Sequence, residues 1–177
     1  AKGNGYNQND IYKYLVYEYE MTQDTANLIK TLQEGEKLFK NEMVEVKDEN
    51  GNTKMQKENT YTLKLINLYI FSGKYDEAMK VIEQSAHDFF YEHVYCLYSK
   101  QKYEEALSLL NTRKCDSPNA MLLKAQVLYR LERYEESLEA YKGTTKSDEY
   151  DYLTNLSAAY LMSEHYTEGV SLLEKYK

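Results

Sequence analysis

The sequence contains no tryptophan, a single proline, two cysteines, three histidines and seven glycines in 177 residues. Proline and glycine are the strongest interrupters of helix, so their scarcity leaves long segments free to be helical and raises the all-α expectation. Two cysteines, Cys96 and Cys115, are too few for a disulfide framework or a metal knuckle, which favours a reducing compartment. No long apolar run is present: the longest, around Leu65 to Phe71, is interrupted by Asn67 and falls far short of the roughly 18 residues a spanning helix requires. No run of basic residues occurs either, and the formal charge is −7. This works against nucleic acid, whose sequence-independent binding depends on clustered cations that neutralise phosphates.

What is abundant is tyrosine, twenty residues in all. Its ring supplies apolar contact area and its hydroxyl wants a partner or water, which suits surfaces that are half core and half interface. Several of these tyrosines fall into a repeated unit. Lys74-Tyr75-Asp76-Glu77-Ala78, Lys102-Tyr103-Glu104-Glu105-Ala106, Arg133-Tyr134-Glu135-Glu136-Ser137 and His165-Tyr166-Thr167-Glu168-Gly169 start 28, 31 and 32 residues apart. Self-similarity at this period marks a stacked-repeat protein.

Each copy is expected to open a helix, with an amphipathic helix ending just before it. Leu63, Leu65, Ile66, Tyr69 and Ile70 follow helical spacing, Ser72-Gly73 breaks the helix, and Tyr75 to Gln84 resumes it. The same pattern predicts helices over 89–100 and 103–110, 120–131 and 134–141, and 150–162 and 167–176. Residues 10–20 and 24–40 read as an irregular first pair. Between them and the repeats, 41–58 is an insertion in which Asn50-Gly51 permits a small hairpin, with a solvated loop as the alternative.

Helix pairs at this spacing resemble tetratricopeptide (TPR) repeats. The family wants a small residue early in the second helix, met by Ala78, Ala106, Ser137 and Gly169. It wants another twelve residues upstream, met by Ala125 and Ser157 while Ile66 and Val94 depart from it. Pro118 stands twelve residues after Ala106, where the family often ends a unit, and Ala26 is the best small residue of the first pair. The implied architecture is an all-α helical-hairpin solenoid, a right-handed superhelix of four to five pairs. It comprises a flexible 1–9 and one domain over 10–177, with repeats at 59–86, 87–117, 118–146 and 147–177.

Candidate chemistry is sparse. Asp48, Asn50 and Asn52 imitate the start of a calcium loop, yet Thr53 and Asn59 stand where Gly and Glu are required. His87 and His93 are six apart and do not share the face a metal pair needs. Gly3-Asn4-Gly5 lacks the strand and helix of a phosphate cradle, and Asn155-Leu156-Ser157 is a glycosylation triplet inside an expected helix. No enzyme, cofactor or metal is expected. The first helices of stacked pairs line a concave wall where partner segments bind. The family register places Leu63, Asn67 and Ile70 there, then Tyr91, Tyr95 and Tyr98, then Leu122, Gln126 and Tyr129, then Thr154, Ala158 and Leu161. For Tyr95 and Tyr129, packing between repeats is the alternative. The chaperone-tail clamp is excluded: Asn67 matches one of its positions, but Asn119 and Leu123 stand where it needs cations.

Two stretches narrow the resemblance. Val94 to Tyr98 with Lys102 to Leu107, then Gln126 to Glu136, are similar to the amino-terminal repeats of the 72-kDa subunits of eukaryotic signal recognition particle, and Thr154 to Ala158 resembles their next block. The order agrees over about 63–160, while the front of the chain departs from the family. The resemblance implies a cytoplasmic, non-enzymatic scaffold that holds the 68-kDa subunit of the particle during its assembly for targeting to the endoplasmic reticulum. It transfers no RNA binding, because the family's basic carboxy-terminal tail has no counterpart here, and it implies no membrane or small-molecule partner. The alternative is the repeat-built auxiliary subunit of an amino-terminal acetyltransferase. Because the chain ends at Lys177 just after a second helix, a sticky carboxy-terminal face without a capping helix is also expected.

Overall fold

The structure is a computed structural model that describes residues 7–47, 51–113, 117–144 and 150–175. The expected flexibility of 1–9 falls largely outside these residues, as do the Asp48 to Asn50 turn, the Gly3 to Gly5 motif and Cys115. Two compact units are formed, residues 1–89 and 90–177.

The first unit contains α1 (Gln8–Thr22), α2 (Thr25–Phe39), β1 (Met43–Lys47), β2 (Thr53–Lys57), α3 (Thr60–Phe71) and α4 (Tyr75–Gln84). The second contains α5 (Phe90–Ser99), α6 (Tyr103–Thr112), α7 (Pro118–Arg130), α8 (Tyr134–Lys142), α9 (Tyr150–Met162) and α10 (Tyr166–Lys175). The helical-hairpin reading therefore holds, and the helix limits lie within two residues of those the repeat spacing predicts. Of the two possibilities for 41–58, the hairpin is the one formed, antiparallel with Met43 opposite Lys57 and Lys47 opposite Thr53. Val44 and Val46 turn their side chains to the half-buried face.

One turn is used throughout. The residue two places before the start of each second helix has a left-handed backbone: Gln23 (φ 56°), Gly73 (69°), Gln101 (60°), Glu132 (61°) and Glu164 (62°). The following N–H then reaches back to a carbonyl of the last turn: Asp24 to Tyr19, Lys74 to Tyr69, Lys102 to Leu97, Arg133 to Leu128 and His165 to Tyr160, at 2.8 to 3.0 Å. This is the helix stop that satisfies otherwise orphaned carbonyls. Glycine meets the left-handed requirement at one of the five positions. The exposed Gln and Glu at the others tolerate it because the backbone bonds offset a local cost of about 1 kcal/mol.

Five residues beyond that turn lies a buried position, matched by another twelve residues earlier on the first helix. Ile66 with Ala78, Val94 with Ala106, and Ala125 with Ser137 are all fully buried, and the Ser137 hydroxyl donates to the Ala125 carbonyl at 2.8 Å. At Gly169 an added Cβ would stand 3.1 Å from Leu161. The same count in the first pair gives Leu28, facing Val16 twelve residues earlier, and both are buried. Ala26 is exposed, which corrects the sequence assignment. The first pair shares the turn geometry of the others but fills the contact with larger side chains, so its register is hidden from a search for small residues. Pro118, expected to end a unit, instead opens α7 behind the Ser117 cap, where its missing N–H costs nothing.

The core of the first unit is Val16, Leu28, Leu32, Phe39, Tyr61 and Leu65. Tyr61 lies so close to Gly35 that a Cβ there would be 2.5 Å from its ring. Nearby, the side chain of Glu58 is 2% exposed. Burial raises its pKa, but the Thr60 N–H at 2.9 Å and the Lys13 ammonium at 3.6 Å together outweigh this and hold it below the usual 4.5. A depressed carboxyl contributes stability that is full above 4.5 and lost as pH falls through the lower folded value. Glu58→Gln should therefore flatten the acid limb of stability against pH in urea titrations; parallel limbs for the two proteins would contradict this assignment.

Candidate functional site

The expected wall residues can be placed unit by unit. In the first unit, Leu63, Asn67 and Ile70 are half-buried on α3. They do not line the local cavity of about 250 Å³, which is formed by Gln33, Lys37, Thr62, Leu65, Val81 and Gln84, among others, between α2, α3 and α4.

The second unit gathers its candidates more tightly. Tyr91, Tyr95 and Tyr98 recur at i, i+4 and i+7 on α5, which places them on one face. Their ring centroids are 6.4 and 6.5 Å apart, and Tyr98 continues the row to Tyr103 at 5.7 Å. Tyr91 is 38% exposed, while Tyr95 and Tyr98 are half-buried. From α7, Gln126 and Tyr129 join Tyr98 around a pocket of about 270 Å³, with Ala158 from α9 on its wall. Tyr129 has a double role. It lines this pocket and also packs on the core of the unit, meeting Tyr134 edge to face at 5.4 Å. Leu122 packs on the same core. Leu161 leans on Gly169 within its own pair, and Thr154 is exposed outside the pocket while its neighbour Asn155 lines it.

Three pocket residues escaped the sequence reading: Arg130, Tyr141 and Asn155. Arg130 follows Tyr129 on α7 and is exposed, and its Nε lies 3.5 Å from the Tyr98 hydroxyl. That hydroxyl, with the neighbouring tyrosines, keeps the guanidinium above its ordinary pKa. Tyr141 is only 2% exposed. Burial, reinforced by the nearby Tyr98, Tyr152 and Tyr129, pushes its phenol pKa well up, so it is present as a protonated donor. It comes from α8, a second helix, which the repeat register does not assign to the wall. In the sequence, Asn155 stands out only as part of a glycosylation triplet. Its Ser157 is buried and bonded to the Leu153 carbonyl at 2.8 Å.

The remaining reactive groups have other duties. Burial raises the Cys96 thiol to about 11, with Glu92 adding to it, which keeps it protonated and unreactive. Among the described residues no cluster of three or more His, Cys, Asp and Glu could hold a metal, and no helix is long and apolar enough to cross a membrane. The second unit thus presents a polar, tyrosine-lined recess suited to holding a side chain.

Comparison with known proteins agrees with this architecture. MamA matches over 94% of this chain and 88% of its own, with a TM-score of 0.66 and 16% identity. YrrB, a TPR protein with an unusual peptide-binding site, matches over 93% and 82%, with a TM-score of 0.61 and 16% identity. Likeness at this identity establishes the fold alone, a TPR helical-hairpin solenoid. In sequence, the signal recognition particle subunit SRP72 of Dictyostelium discoideum is 36% identical over 91 residues, 49% of this chain and 14% of that protein. Human SRP72 is 34% identical over 98 residues, 50% of this chain and 15% of that protein. The chain thus spans about 15% of the length of these relatives. Residues 45–168 match the family SRP_TPR_like, described as "Putative TPR-like repeat". That match covers well over half of the chain and takes in most of the hairpin, four of the five left-handed turns and the paired positions from Ile66 to Ser137, so the chain belongs to the SRP_TPR_like family.

Proposed function

We propose that this chain is a non-enzymatic, cytoplasmic scaffold within a signal recognition particle subunit, and that it holds the 68-kDa subunit by a mainly extended segment laid along its first helices. The observation that carries this reading is the family match over 45–168, together with SRP72 relatives that are 34 and 36% identical. The physical character of the second unit supports it. Tyrosines concentrate binding energy because they offer large, rigid contact area and a hydroxyl that tolerates partial exposure. The acidic balance of the chain, −7, gives it no electrostatic hold on RNA.

Affinity purification of the full-length protein from cells, followed by mass spectrometry, tests the proposal. The 68-kDa subunit should co-purify and persist after nuclease treatment, since contact through this chain needs no RNA. Recovery of an acetyltransferase catalytic subunit in its place would establish the auxiliary-subunit alternative.

A further inference from the structure

The second-unit pocket is chemically one-sided. Arg130, Gln126, Asn155, Tyr98, Tyr129 and Tyr141 all border it, so it is rich in side chains that can donate hydrogen bonds, and among the described residues no carboxylate borders it. Arg130 makes no ion pair among the described residues, in a chain whose other cations are frequently paired: Lys102 with Glu105, Arg133 with Glu136 and Lys142 with Glu139. Its contact with Tyr98 is at the outer limit of a hydrogen bond, 3.5 Å.

Tyr141 adds a further donor to the pocket. Its side chain is more than nine-tenths buried and lines the pocket. Its backbone carbonyl accepts from Tyr152 and Thr144, but its hydroxyl has no partner among the described residues. Among the described residues the buried side-chain oxygen left without a partner is Ser163 Oγ; the Tyr141 hydroxyl is instead open to the pocket, where it can donate to whatever enters.

We propose that this pocket receives one acidic side chain, a glutamate or aspartate within the bound partner segment, whose carboxylate meets Arg130 at the rim and the Tyr141 hydroxyl at the floor. A carboxylate is acceptor-only and so complements a guanidinium and phenols, which here act as donors. A single guanidinium among otherwise neutral donors matches one negative charge. A phosphate, with nearly two, is ordinarily met by several cations. The proposal deepens the scaffold reading and rests on it for the partner, but the pocket chemistry can be tested without that partner.

Two measurements test it. In the first, N-acetyl-glutamate α-amide and N-acetyl-glutamine α-amide are titrated separately into isotope-labelled chain and followed by NMR. The glutamate probe should move the Arg130 Nε–H and the Asn155 and Gln126 side-chain amide signals while the glutamine probe does not; an equal response to both, or to neither, overturns the proposal. The second uses overlapping peptides with amidated carboxy termini, spanning the carboxy-terminal part of the 68-kDa subunit. One Glu→Gln or Asp→Asn replacement in the binding peptide should weaken it by about tenfold to a hundredfold. Arg130→Gln should weaken the native peptide by as much and abolish discrimination between native and replaced peptides. Tyr141→Phe should weaken binding while leaving the far-UV spectrum intact. If peptides bind but no acidic replacement matters, or if binding requires a free terminal carboxylate, the pocket assignment falls while the scaffold reading stands. If the 68-kDa subunit does not bind, the scaffold reading falls and the NMR arm still decides the pocket.

Discussion

Replacing Tyr61 by alanine should remove about 4 kcal/mol from the folding free energy of residues 1–89. Tyr61 is 2% exposed at the start of α3, and its ring joins a row with Phe39 at 5.6 Å and, beyond it, Tyr12 at 5.3 Å from Phe39. It occupies the space that Gly35 leaves on α2, so its loss opens a cavity against a backbone that cannot fill it. Its hydroxyl also donates to the Asn9 Oδ1 at 2.6 Å, and Asn9 in turn donates to Glu42 at 2.7 Å, tying the start of α1 to the hairpin entry. Small domains retain only about 5 to 15 kcal/mol in total, so the substitution consumes much of the margin. Urea denaturation followed by circular dichroism gives the measurement. Tyr61→Phe, which keeps the ring and loses only the hydroxyl bond, should cost about 1 kcal/mol. A Tyr61→Ala cost no larger than that of Tyr61→Phe would refute the anchoring role.

On the proposed scaffold reading, the double substitution Tyr91→Ala and Tyr95→Ala should weaken binding of the 68-kDa subunit by about a hundredfold or more, since central aromatic residues each contribute about 2 kcal/mol when truncated. Tyr91 is the most exposed of the α5 row, and Tyr95 stands between it and Tyr98 with centroids 6.4 and 6.5 Å away. Tyr129 is the poorer choice for this test: its ring packs on the second-unit core, so truncation would mix folding with recognition. Isothermal titration against the purified 68-kDa subunit, with melting curves as the control for folding, reads the effect directly. Tyr95→Phe should retain most of the affinity. Unchanged binding by the folded double variant would move the interface off this face.

Much of the fold was legible because helix pairs encode themselves locally. The spacing of Tyr75, Tyr103, Tyr134 and Tyr166 located the second helices, each of which begins at its tyrosine. Asn50-Gly51 was enough to raise a hairpin, though not to choose it over a loop. The choice depended on a pairing partner, residues 53–57, whose own sequence Thr-Lys-Met-Gln-Lys carries little strand signal. Ala26 was misplaced for a related reason. Proximity within the first pair follows from the left-handed turn at Gln23, and Val16 and Leu28 meet there without a small residue to mark it.

The candidate site was less legible. Sequence register selected Tyr98, Gln126, Tyr129 and Ala158 by their common position on first helices, and these do border one pocket. It could not select Tyr141, which reaches the same pocket from α8, nor prefer Asn155 to Thr154.

The all-α repeat, the starts of the later second helices, the small residues at Ala78, Ala106, Ser137 and Gly169 and the resemblance to the particle subunits were readable from the chain alone. Each of these depends on residues close in the chain, or on a period the chain repeats. Which polar groups share a pocket, that Tyr141 reaches it from α8, and that Arg130 stands among phenols rather than carboxylates emerge only from the folded arrangement. The physical reason is that burial and pairing are properties of surfaces brought together from α5, α7, α8 and α9, and no local pattern within any one of these helices records what the others place beside it.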